Sequence, residues 1–177
     1  MKTMEISDEL PSCSRDDFRM AMRKLLGGVT LICTRSGDRS YGMTATAVCS
    51  VSADPPTLLV CLNRNGSTCA AVSESGLFSV NLLNPENVDL AGAFSSAAAD
   101  QQDRFSAGEW TVLETGVPVL RGSAASFDCE VTEEIDSGSH RIFIGRVRTV
   151  SKSRGDTALG YFAGSFVVPA LLSQPVV

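Results

Sequence analysis

Apolar and polar positions alternate with a period of two along much of this chain, which is the spacing of strands with one covered face. VTLICT (29–34), TLLVCLN (57–63) and LFSVNLL (77–83) are short apolar runs bounded by Gly, Asn, Ser or Pro, as buried strands are. In SFDCEVTEEI (126–135), Phe127, Cys129 and Val131 alternate with Asp128, Glu130 and Thr132, and RIFIGRVRTV (141–150) supplies the partner across SGS. That predicts a hairpin with one wet face.

The period lengthens in three places. SRDDFRMAMRKLL (14–26) opens with Ser14 and Asp17 at capping-box spacing and sets Phe18, Ala21, Met22 and Leu25 on one face, predicting a helix packed on a core. NRNGSTCAAVSESG (63–76) reads as a loop opening a short helix, with Ser67 as its cap. Val88, Leu90, Ala91 and Phe94 have helical spacing, and the Ala- and Asp-rich run up to Asp103 reads as a loop.

TATAVCSVSADPP (44–56) fits neither pattern well. Thr44, Thr46, Ser50 and Ser52 alternate with Ala45, Ala47, Cys49 and Val51, so it reads as one strand with hydroxyls on one face, stopped by Asp54, Pro55 and Pro56. It lacks the bulk of a core strand and has room for something flat and polar near the backbone. The elements together predict a mainly β protein with three short helices, an antiparallel barrel with helical additions. One domain over residues 14–170 is expected, with tails at 1–13 and 171–177.

Composition narrows the function classes. With 44% hydrophobic and 20% charged residues, 177 residues suffice for one sizeable core. A formal charge of -5 gives no basic footprint for nucleic acid. The N-terminus lacks an apolar leader and no apolar run reaches membrane-span length, so a cytoplasmic protein without membrane attachment is expected. The six cysteines form no CxxC and read as buried free thiols, and with His140 the only histidine a zinc site is not indicated.

Four motifs offer chemistry, each with a plain structural alternative. NRNGST brings Arg64, Ser67 and Thr68 to a helix start, a place for an anion or an ordinary cap. His140 enters a strand from a turn, with Asp136 across it, and is a weak candidate for an acid or a substrate clamp. Arg104, Phe105 and Trp110 can cover a planar ring or anchor a loop in the core. Tyr161, Phe162 and Gly164 allow close approach to a ligand or plug the barrel as an edge strand.

In their order along residues 16 to 168, these segments resemble the flavin reductase family with the FMN-binding split β-barrel, above all the small reductase components of two-component flavin-dependent monooxygenases. The resemblance implies a homodimer that takes FAD or FMN, oxidises NADH or NADPH, and supplies reduced flavin to a separate oxygenase component. It implies that Thr44, Ala45, Thr46, Ala47, Val48, Ser50, Val51 and Ser52 line the flavin ring and ribityl chain. By the same resemblance Cys61, Leu62, Asn63, Ser67 and Thr68 hold the phosphate, and Arg104 and Phe105 lie near the flavin. His140, with Tyr161, Phe162 and Gly164, matches the nicotinamide side. Ser139 stands where the family commonly has Asp beside this histidine, which removes support for an Asp-His pair. A flavoprotein that retains its flavin and reduces another acceptor, such as a quinone or ferric complex, and a non-catalytic flavin-binding module remain alternatives.

Overall fold

The computed structural model describes residues 13–96, 100–153 and 157–170. Helix α1 (Arg15–Met22) leads through β1 (Gly27–Gly28) into β2 (Thr30–Ser36), β3 (Arg39–Ala45), β4 (Val48–Ala53) and β5 (Pro56–Asn63). Next come α2 (Ser67–Ser75), β6 (Leu77–Leu82), a 3-10 turn at Pro85–Asn87, α3 (Val88–Ser95) and α4 (Gln101–Ser106). The short strands β7 (Trp110–Val112) and β8 (Pro118–Leu120) precede a long hairpin, β9 (Ala125–Ser137) and β10 (His140–Lys152), and a small one, β11 (Gly160–Phe162) and β12 (Ser165–Val167).

Seven strands form one sheet in the order β3-β2-β6-β9-β10-β5-β4, every neighbour antiparallel. Strands β3 and β4 stand at its two ends, yet only Thr46 and Ala47 join them. So short a link spans about 10 Å, and the sheet must curl until its edges meet. The result is an antiparallel barrel with its seam at Thr46 and Ala47.

That seam corrects the single strand expected over 44–56. The Val48 amide turns back to the Thr46 carbonyl at 3.1 Å, while the Cys61 amide takes the Ala47 carbonyl at 3.0 Å. The alternation of hydroxyls also fails further on, because a bulge shifts the register between Ser50 and Ser52.

Strand β2 is buried on both faces, which explains its unbroken apolar run. Ile32 faces the barrel interior with Val60, Leu62, Phe78, Cys129 and Phe143, which α2 plugs with Cys69 and Val72. Leu31 and Cys33 face the other way, under α3, with Leu90, Ala91, Phe94 and Leu120.

Helix α1 is capped as expected, the Ser14 hydroxyl accepting the Asp17 amide at 3.0 Å, but it stops at Met22 and buries no residue. Phe18 is 59% and Leu25 65% exposed, so the core expected beneath this helix is absent among the described residues. The run read as a loop is also partly helical. Asp100 caps α4 through the Gln102 amide at 2.8 Å, giving four α-helices among the described residues where three were expected; residues 97–99 lie outside the described ones. Among the thiols, Cys33, Cys69 and Cys129 are buried as expected, whereas Cys13 and Cys49 are exposed because the chain end and an edge strand carry them.

Candidate active site

At the seam, Thr44, Ala45 and Thr46 border a cavity of about 400 Å³ whose far wall is the β11–β12 hairpin at Tyr161, Gly164 and Phe166. A second, wider space of about 660 Å³ between α1 and the seam shares Thr46 and Tyr161 with it. Pockets of this size suit a planar ligand of cofactor dimensions. Small side chains at the seam leave the backbone approachable, and Gly27 lies so near that a Cβ on it would meet Thr46 Cβ at 3.0 Å.

The four hydroxyls of this stretch part company. Thr44 donates to the Ala91 carbonyl at 2.7 Å, tying β3 to α3, and Ser52 is engaged with the backbone of Asp54. The hydroxyls of Thr46 and Ser50, both exposed, make no hydrogen bond among the described residues. Ala47, Cys49, Val51 and Ser52 are exposed as well, Val48 is half-buried, and β4 is a sheet edge with an unpaired flank.

Strand β5 ends at Cys61, Leu62 and Asn63, and a tight turn leads into α2. The Gly66 amide reaches the Asn63 carbonyl at 3.0 Å, and the Asn63 side chain accepts the Asn65 amide at the same distance. Gly66, not Ser67, is the N-cap, so no side chain caps the helix and no acidic residue stands in its first turn. Its leading N–H groups have no intrahelical acceptor and present partial positive charge. Ser67 is exposed there and Thr68 is buried. Gln101 of α4 joins this turn to the barrel: its Oε1 accepts the Gly42 amide of β3 at 2.9 Å, and its Nε2 donates to Ser67 Oγ at 3.1 Å. The strand that borders the cavity at Thr44 therefore reaches the start of α2 as well.

Strand pairing sets His140 opposite Asn63, at the mouth of the long hairpin. His140 Nδ1 lies 2.9 Å from Ser139 Oγ. Asp136 turns instead to two arginines: Arg141 Nε at 2.7 Å and Arg64 Nη2 at 3.2 Å. The hydrogen bond from Arg141 holds the Asp136 carboxyl below the usual carboxylate range. Arg64 also donates its backbone amide to the Ser139 carbonyl at 3.1 Å, so it fastens the hairpin tip and is not a free cation beside the helix start.

Arg104 and Phe105 stand behind β3. Arg104, 8% exposed, donates from Nη1 to the Gly42 carbonyl at 2.9 Å and from Nη2 to the Ser96 carbonyl, while its Nε has no partner among the described residues. The Phe105 ring meets Trp110 at 4.7 Å and Phe94 at 5.1 Å, an aromatic cluster under the strand. Tyr161 and Phe162 are exposed on a hairpin whose turn places Ala163 at φ 51° and Gly164 at φ 91°. The cavities that Tyr161 borders do not include His140.

Seam and cavity share Thr44 to Thr46, the start of α2 is tied to the same strand through Gln101, and His140 stands opposite Asn63 at the end of β5. Among these groups Gln101 escaped the sequence reading. Its signal was present: Asp100 with Asp103 three residues on, before Arg104 and Phe105, is a helix opening.

The flavin reductase like domain matches residues 22–169. An FMN reductase (NADH) RutF from Agrobacterium fabrum is 44% identical over 146 residues, covering 82% of this chain and 83% of the relative. The flavin reductase component BorF of a bacterial two-component tryptophan halogenase superimposes with a TM-score of 0.81 at 30% identity, over 88% of this chain and 98% of that one. The styrene monooxygenase flavin reductase from Pseudomonas putida S12 gives 0.80 at 28% identity, over 88% and 99%.

Proposed function

This chain belongs to the flavin reductase like family, and from that premise we propose that it transfers a hydride from NADH to FMN and hands the reduced flavin to a separate oxygenase component. One observation carries the assignment of the site to this chemistry. A helix start with no capping side chain, at Ser67, is tied through Gln101 to the strand that borders the seam cavity. An anion holder and a space for a flat ring are thus linked through one strand.

The residues present fit a flavin mononucleotide. Thr46 and Ser50 offer uncommitted hydroxyls to a ring edge, and Ala45 and Ala47 leave the backbone open to it. Ser67, Thr68 and the leading N–H groups of α2 suit a phosphate. Cys61, Leu62 and Asn63 form the strand end between them, and Arg104 with Phe105 hold β3 from behind. A bound flavin supplies the hydride-accepting ring, and the protein's part is position and electrostatics. His140, with Tyr161, Phe162 and Gly164, takes the nicotinamide side. His140 orients the nucleotide there and moves no proton needed for hydride transfer.

The working unit is a homodimer of the domain over residues 14–170. Phe18, Met20, Leu25 and Leu26 on and after α1, Val51 on β4 and Phe162 on β11 are all exposed in the protomer. Large apolar side chains left exposed in such number favour an interface, and covering them would give α1 the core that its sequence calls for. The free thiols fit the cytoplasm, and among the described residues no helix is long and apolar enough to cross a membrane.

Purified protein mixed with NADH and excess free FMN tests the activity. Rapid loss of NADH absorbance with free flavin as substrate is expected, FAD and NADPH serving as comparison substrates. Tight flavin retention with turnover only toward a quinone or ferric acceptor, or no oxidation at all, would overturn the proposal.

A further inference from the structure

Ser67 presents one hydroxyl hydrogen and two lone pairs at the start of α2, and nothing in its own sequence says which of them faces a ligand. Gln101 decides this. The Gly42 main-chain N–H can only donate, so the end of the Gln101 amide facing it at 2.9 Å has to be the oxygen. The other end, 3.1 Å from Ser67 Oγ, is then the NH₂ group and donates. A flipped amide would set donor against donor at Gly42. With one of its lone pairs occupied by Gln101 and no other partner among the described residues, Ser67 has its hydrogen left to give outward.

The fixed amide stands on a rigid base. Gly42 is held from the same helix at both ends of its residue, its amide by Gln101 and its carbonyl by Arg104 Nη1 at 2.9 Å. The strand lies so close to the helix layer that a Cβ on Gly42 would sit 2.6 Å from Phe94 Cε1 and 3.1 Å from Phe105 Cζ. Gln101 is itself half-buried, so its long side chain is already ordered before any ligand arrives. We propose that Gln101 is a positioning residue that sets the Ser67 hydroxyl as a hydrogen-bond donor toward the phosphate of the flavin. This rests on the reading above that seats the phosphate at the start of α2.

The amide polarity makes the idea testable by reversal. Gln101→Glu keeps an oxygen for the Gly42 amide but replaces the donor by a carboxylate oxygen, which takes the Ser67 hydrogen for itself. Gln101→Ala removes both contacts. FMN and riboflavin, which differ by the phosphate, are compared as ligands by fluorescence titration, with FMN turnover measured in parallel. The FMN dissociation constant is expected to rise about 5- to 15-fold in Gln101→Ala and about 10- to 100-fold in Gln101→Glu. Riboflavin affinity should change by no more than about 2-fold, and the FMN KM should rise by a larger factor than kcat falls. The Ser67→Ala and Ser67→Ala/Gln101→Ala proteins should bind FMN alike, because Gln101 acts through Ser67.

Equal weakening of FMN and riboflavin in both Gln101 variants would mean that Gln101 only supports the fold, and unaltered FMN binding in both would mean that it does nothing; either overturns the proposal while leaving the phosphate seat standing. If Ser67→Ala weakens both ligands equally or neither, the phosphate is not at Ser67. The underlying reading then falls, and the role of Gln101 with it.

Discussion

Gly145 shows how much one position can decide. It lies on β10 above the buried Phe78, and an added Cβ would stand 2.5 Å from Phe78 Cζ and 3.3 Å from Cys129 Cβ. Neither neighbour has space to retreat, since both are fully buried. Gly145→Ala is expected to cost about 1–3 kcal/mol by overpacking, seen as a lower urea midpoint with FMN affinity retained. The thiols divide by the same measure of space. Burial pushes Cys129 up to about 12 and Cys33 higher still, whereas Cys13 and Cys49 are open to solvent. A thiol reagent at about pH 8, where only a thiolate attacks, should label Cys13 and Cys49 in the native protein and leave Cys33 and Cys129 until the chain unfolds. The sign for stability follows. Above the ordinary thiol value near 9 the unfolded chain loses protons that the folded one keeps up to about 12, so the urea midpoint should fall across that interval.

The long hairpin works as one lever. Its tip carries His140, and Arg64 and Arg141 grip it through Asp136. Asp136 and Arg64 are exposed and Arg141 is half-buried, so Asp136→Asn should leave global stability nearly unchanged, yet it frees the tip and should raise the NADH KM. The Asp136 carboxyl is held below its usual range, so the grip persists as pH falls to about 4 and is lost below that. The NADH KM should follow, provided the fold survives. His140→Ala is expected to raise the NADH KM by about 3- to 10-fold, the value of one or so hydrogen bonds. Unchanged KM and turnover in that variant would remove His140 from the nucleotide site.

In the molecule taken together, α1 buries no residue and its apolar side chains face solvent. Phe18 and Leu25, more than half exposed, would be carried into water by a monomer with no gain. Phe18→Asp with Leu25→Asp should convert a dimer to a monomer by light scattering while the barrel keeps its circular dichroism, because neither side chain enters a core of the protomer. A dimer that persists in that double variant would place the interface elsewhere. Since Tyr161 and His140 border different regions of one protomer, loss of the dimer should also raise the NADH KM if the partner completes the nicotinamide side.

The amino-acid sequence alone determined the strands that are covered on both faces, the wet-faced hairpin and the cap at Ser14, because burial and capping leave a period or a spacing that local chemistry imposes. It also marked Thr44 to Ser52 as lacking bulk. It did not reveal that this stretch breaks at Thr46 and Ala47, for the break exists because the chain passes there from one edge strand of the sheet to the other. Nor did it tell that the hydroxyls of Thr44 and Ser52 are satisfied within the chain while those of Thr46 and Ser50 have no partner among the described residues, which depends on what α3 and the following turn bring near. Helix α1 looks from its pattern like a core helix, and only the tertiary structure shows that its apolar face meets no partner within the protomer. The link from Gly42 through Gln101 to Ser67 joins residues from three elements. Periodicity reports which face of an element is covered; only packing reports which element covers it.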